Sequence, residues 1–129
     1  MTMAQERLLF VHPWIPARFN GTPMGLLYLA TLASNAGHVV RVIDLQALGP
    51  EYDIHEEFRT FLPTVVGVSS TSPSHPAAMA ILRRAKEWNP NVKTVSGGVH
   101  ETYCARDTLM WQPHVDYAVP RTIKRASEE

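Results

Sequence analysis

Between Pro63 and Ser74 a short apolar, β-branched run, Val65-Val66-Gly67-Val68, breaks into four consecutive hydroxyl residues, Ser69-Ser70-Thr71-Ser72, and then Pro73. The run has no polar alternation, so it reads as a strand buried on both faces, as in a parallel sheet. The hydroxyl residues then stand at the carboxyl end of a central strand. In open α/β sheets that edge is where ligands bind.

The rest of the chain can be arranged around such a crevice. Leu8-Leu9-Phe10-Val11 fits a first central strand. His12 to Thr22 contains Pro13, Pro16 and the turn signal Asn20-Gly21, and reads as a long loop. Pro23 suits a first helical residue, Met24 to Ala36 is rich in Leu and Ala, and Gly37 supplies the stop. Val39 to Asp44 is a second strand, and Arg41 within it points to a sheet edge. Ile54, Phe58 and Phe61 space an amphipathic helix over Glu51 to Phe61, which Pro63 closes. Pro76 to Trp88 repeats the helical signature: Ala78, Ile81, Leu82 and Ala85 form the apolar stripe, while Arg83, Arg84, Lys86 and Glu87 face water. Val92 to Val95 is a fourth strand with Ser96 to His100 as its turn. A helix over Thr102 to Trp111 and a fifth strand over Val115 to Val119 follow. Strands and helices alternating at this spacing imply a flavodoxin-like, Rossmann-like α/β sandwich of three layers, with a five-stranded parallel sheet in the order 2-1-3-4-5. Residues 1–119 make one domain, and 120–129 a charged tail or short helix.

Composition narrows the function classes. A chain of 129 residues buries an ordinary core without staples. Twelve basic residues balance twelve acidic ones, so no net field draws it to nucleic acid or an anionic membrane. The single cysteine, Cys104, excludes an internal disulfide framework and a cysteine-only zinc or iron–sulfur site. No apolar run approaches membrane-spanning length and the N-terminus lacks a signal-peptide layout, so a soluble cytoplasmic protein is the default expectation.

Several residues on the predicted ligand edge carry chemistry. Hydroxyls and free N–H groups at a helix start hold phosphate or amide groups, although one of them can simply cap the helix. Four in a row exceed what a cap needs. Gly97-Gly98 lets backbone approach a bulky ligand, or merely makes the turn. His100 and Cys104 share a helical face, but two ligands are too few for a zinc site, and no metal is expected. His12, His38, His75 and His114 read as loop or cap residues. Asp53-Ile54-His55 lies away from the ligand edge and reads as a solvated face rather than a catalytic dyad. No nucleophile–base–orienter set stands out, so no catalytic residue is assigned. The acidic residues of a receiver domain are replaced by Val11-His12 and Val68-Ser69, and the first loop lacks the G-x-G-x-x-G of a dinucleotide site.

Four ordered pieces carry a family resemblance. They are Pro23-Met24-Gly25-Leu26-Leu27-Tyr28-Leu29-Ala30, Ala36 to Asp44, Val65 to Thr71, and Ser96-Gly97-Gly98-Val99-His100-Glu101-Thr102, with Val115 to Val119 as the last strand. In this order the chain resembles the cobalamin-binding domain at the N-terminus of cobalamin-dependent radical SAM enzymes. The resemblance implies a corrin on the strand-end edge and a nucleotide tail running down beside the sheet. Ser69, Ser70 and Thr71 then meet the tail, Gly97, Gly98 and Val99 line its path, and Pro23, Met24, Gly25 and His100 border the corrin. The implied cofactor is methylcobalamin or hydroxocobalamin, and the implied partner is a radical SAM or methyltransferase protein.

Two departures shape the expected function. The Asp-x-His-x-x-Gly signature that places a histidine on cobalt is absent: Asp53-Ile54-His55 is followed by Glu56-Glu57-Phe58. The fifth strand is followed by Pro120 to Arg125, where family members carry an acidic Gly-Glu-Gly-Glu-like segment before a catalytic barrel. One cysteine cannot hold that barrel's iron–sulfur cluster. The expectation is a corrinoid module related to methyl transfer, not catalytic by itself. The rivals are a degenerate domain acting through a protein partner, and a binder of another phosphate-bearing small molecule. Trp14 and Phe19 are the aromatics that would suit a protein partner.

Overall fold

The computed structural model describes residues 4–16 and 23–120. The Asn20-Gly21 turn, Phe19 and the tail beyond Pro120 lie outside the described residues.

Five parallel strands, β1 (Arg7–His12), β2 (Val39–Asp44), β3 (Val65–Ser69), β4 (Lys93–Gly97) and β5 (Tyr117–Ala118), form one sheet in the order β2-β1-β3-β4-β5. The helices are α1 (Met24–Asn35), α2 (Leu45–Leu48), α3 (Ile54–Phe61), α4 (His75–Trp88) and α5 (Val99–Trp111). This is the flavodoxin-like order, and β2 carries Arg41 as an edge strand. Arg41 ties that edge to α3 through a 2.7 Å ion pair with the buried Glu57.

Register fixes which side chains share a face. Leu9 pairs with Val66 and Val66 with Thr94, while Phe10 pairs with Gly67 and Gly67 with Val95. Leu9, Val11, Val66 and Val68 join Ile54 and Phe58 of α3 and Ala78, Leu82 and Ala85 of α4 in a single buried cluster. Fully burying side chains of this kind stabilises by about 1.5–3 kcal/mol each. Phe10, Gly67, Val95 and Gly97 point to the other face. Right-handed crossovers place α1 and α5 there, over opposite halves of the sheet. Neither contributes a residue to the buried cluster, and Leu26 is the one buried hydrophobic of α1. Phe10, Val65 and Val95 on this face are only half-buried, whereas Leu9, Val11, Val66 and Val68 on the other are buried, so the two faces are unequally covered.

One short helix was not expected, and three sequence expectations need correction. The four-residue helix α2 has too few residues to show a period, although Asp44 caps it by accepting from the Gln46 and Ala47 N–H groups. The third helix begins at Ile54, because the Asp53 carboxylate accepts from His55 N–H as its cap; Asp53 thereby acquires a structural role. Lys86 does not simply face water. Its ammonium donates to Asp116 Oδ2 and to the Val92 carbonyl, both at 2.7 Å. The fifth strand is short, with Tyr117 and Ala118 alone paired to β4.

His114, at the approach to β5, is held below the usual imidazole range, first by burial and then by the Arg83 guanidinium. Its folded pKa lies below its unfolded value, so the unfolded chain binds the extra proton. The contribution is complete above an unfolded pKa of about 6.5 and is lost as pH falls below it. Urea midpoints measured between neutral pH and pH ~5 should therefore fall with acidification, and His114→Gln should make that slope shallower.

Candidate functional site

The carboxyl ends of β1, β3 and β4 meet in a small set of loops. β3 ends at Ser69, and Ser70 N–H donates to the Gly97 carbonyl at 3.0 Å, continuing the ladder one residue into the loop. The Ser70 carbonyl in turn accepts from His100 N–H at 3.0 Å. The loops after β3 and β4 are therefore joined backbone to backbone.

Gly98 makes that junction possible. Its φ is +96°, and a Cβ there would lie 2.7 Å from the Ser70 carbonyl oxygen and 2.8 Å from the Ser70 nitrogen. The residue turns the chain from strand to helix in one step, so α5 starts at Val99. Val99 and His100 are its first turn, not the extended turn that the glycine pair suggested. Gly97 differs: a Cβ there would meet only the Val119 carbonyl oxygen, at 3.9 Å, and it would point to the thinly covered face.

The hydroxyl run divides into two kinds. The Ser74 hydroxyl accepts from Thr71 N–H at 2.9 Å and sits 3.1 Å from Thr71 Oγ1, while Ser72 Oγ lies 3.1 Å from His100 Nδ1. These hydroxyls close the loop on itself. Ser70 is buried, and its Oγ has no hydrogen-bond partner. A buried hydroxyl without a partner is costly, and a ligand acceptor would satisfy it.

Pro23, Met24 and Gly25 open α1 on the opposite side of the same edge. Pro23 occupies the cap position without a side-chain hydrogen bond, Met24 is 67% exposed, and nothing lies within 4 Å of a Cβ at Gly25. His12 ends β1, and both its ring nitrogens are buried without a partner. His12, expected as a loop or cap residue, is instead the last residue of a central strand.

Trp14, expected as an exposed aromatic, is half-buried and lines a cleft of about 190 Å³ with Leu45, Tyr52, Ile81 and Arg84. A second cleft of about 240 Å³ lies beside His75, His100, Cys104 and Asp107. Both are smaller than the roughly 300–1,000 Å³ of enclosed small-molecule sites. A large ligand would lie on the open edge instead. No helix among the described residues is long and apolar enough to cross a membrane.

Comparison with known proteins places these features in context. Residues 15–129 match the family described as B12 binding domain. An uncharacterised methyltransferase of Pyrococcus horikoshii is 34% identical over 100 residues, covering 77% of this chain and 22% of the relative. The anaerobic magnesium-protoporphyrin IX monomethyl ester cyclase of Rubrivivax gelatinosus is 32% identical over 121 residues, 88% of this chain and 22% of the cyclase. The chain thus spans about a fifth of the length of these relatives. Among solved structures, the radical S-adenosylmethionine methyltransferase TsrM of Kitasatospora setae, with cobalamin and an iron–sulfur cluster bound, superposes with a TM-score of 0.67. The match is 20% identical and covers 82% of this chain and 21% of TsrM. At that identity the likeness speaks for the fold.

Proposed function

The chain belongs to the B12 binding domain family, and from that premise we propose that it is a corrinoid-binding module, related to the cofactor domains of radical SAM methyltransferases. The observation that carries the reading is the unpartnered Ser70 hydroxyl, buried at the junction of the β3 and β4 loops beside Gly97. The thinly covered face supports it, since Phe10, Val65 and Val95 on that side of the sheet are only half-buried. Ser69, Ser70 and Thr71 would hold the polar nucleotide tail. Gly97, Gly98 and Val99 would line its path, with Pro23, Met24, Gly25 and His100 bordering the corrin. Cobalamin, when bound, supplies a cobalt centre that carries a methyl group. This chain's residues supply binding, orientation and exclusion of water, and none is assigned to bond-making. No Asp-x-His-x-x-Gly motif is present, so no histidine of such a motif would be offered to the cobalt.

Residues 1–119 form the cofactor domain in this reading, with 120–129 as an extension. The one cysteine within the sequence cannot hold an iron–sulfur cluster, so radical SAM chemistry must come from cysteines outside it. A cytoplasmic location is part of this proposal, because iron–sulfur chemistry suits a reducing compartment. A protein partner is supported separately by the exposed Tyr28 and Leu32 of α1 and Tyr103 and Trp111 of α5.

The test is an absorbance titration with hydroxocobalamin and methylcobalamin, followed by desalting. A retained corrin whose spectrum shows displaced dimethylbenzimidazole is expected. Folded protein that retains no corrinoid would overturn the reading and favour the partner-only alternative. Ser70→Ala sharpens the result. Deleting an unpartnered hydroxyl should leave the urea midpoint unchanged or raised, while corrinoid affinity drops roughly 2- to 10-fold, the equivalent of about 0.5–1.5 kcal/mol.

A further inference from the structure

One side-chain cluster reaches beyond the cofactor reading, which uses only its His100. His75 is the first residue of α4 and His100 the second of α5, and their imidazoles stack with centroids 3.8 Å apart and planes inclined by 26°. Beneath them Glu101 is 0% exposed. Its Oε1 accepts from Thr108 Oγ1 at 2.8 Å and lies 3.6 Å from His75 Nδ1. Its Oε2 has no hydrogen-bond partner, and neither does His75 Nδ1. One ligand atom from each of the three residues lies within 4.8 Å of the other two.

A carboxylate with no exposure needs a counter-charge, because its ionised form is costly in a low dielectric. Among the described residues its only ion-pair partner is His75. Two imidazoles beside a buried carboxylate are a donor set with room for one cation. Nitrogen donors select against calcium and magnesium, which take oxygen ligands. They suit zinc, copper, nickel or iron. The adjoining cleft, which Cys104 and Asp107 also line, leaves room for a further ligand or water.

We propose that His75, His100 and Glu101 form a binding site for a divalent transition-metal ion of the zinc class, distinct from the cobalt of any bound corrinoid. Neither His75 nor Glu101 has a role in the cobalamin reading, and the test uses no corrinoid. The two proposals therefore fail separately.

The experiment is a Zn²⁺ titration of chelator-stripped, corrinoid-free protein against a chromophoric competitor. One equivalent should bind tightly and raise the melting temperature, and excess chelator should reverse the rise. His75→Ala and Glu101→Gln should each weaken binding by more than about 100-fold, beyond the roughly 10–100-fold that loss of an outer-shell partner causes. Folding of both variants is checked by circular dichroism. Should either variant not fold, the intact chain still decides: Zn²⁺ should move the NMR ring resonances of His75 and His100 and leave the other four of the six histidines in place. Absence of tight zinc binding by folded protein overturns the site. Binding that both variants leave unchanged, or shifts confined to other histidines, overturns it equally.

Discussion

Gly98→Ala is expected to lower stability by about 2–5 kcal/mol. A non-glycine residue at φ +96° costs about 1–2 kcal/mol, and a Cβ wedged against packed atoms adds about 1–3. Of the contacts it would meet, the Ser69 hydroxyl can rotate, but the Ser70 carbonyl oxygen and nitrogen are backbone and cannot. Domains of this size are stable by only about 5–15 kcal/mol, so the variant should unfold at a much lower urea concentration with an unchanged m-value. An unaltered midpoint would show that the β3 and β4 loops are not joined as described. The glycine that looked like a ligand contact is first a structural one.

Gly97→Leu should behave in the opposite way. Its Cβ would meet only the Val119 carbonyl oxygen at ordinary contact distance, so the fold should tolerate it. The leucine side chain would stand on the thinly covered face, across the proposed path of the nucleotide tail. Corrinoid affinity should fall at least tenfold, about 1.4 kcal/mol, while the melting temperature stays close to that of the parent. Equal corrinoid retention by parent and variant would mean that the tail does not pass β4 on that face. The two neighbouring glycines thus separate folding from binding by one position in the chain.

The sheet was legible in the sequence because its signals are local. Val65 to Val68 and Val39 to Asp44 are β-branched runs with clear ends, and one charge, Arg41, marked the edge. The start of α5 was not legible, since a glycine pair punctuates equally well before a long turn or before an immediate helix. The ligand edge was legible as a place, but its chemistry was not. Which hydroxyl lacks a partner depends on Ser74 and His100 reaching Thr71 and Ser72, and that is decided by tertiary packing. Lys86 had the sequence position of a solvated residue until β5 brought Asp116 beside it. His75 and Glu101 meet because α4 and α5 begin side by side, which no spacing along the chain announces.

The unequal faces of the sheet have a consequence for how the molecule breathes. Amides of β3 and α4 lie against the buried cluster and should exchange with solvent only when the whole domain unfolds. Amides of α1, anchored by Leu26 and begun without a side-chain cap, should exchange through local fraying that leaves the sheet intact. A domain arranged this way keeps its fold when one wall loosens. Its thinly covered face can therefore admit and release a large ligand on the timescale of a helix opening, not of a protein unfolding.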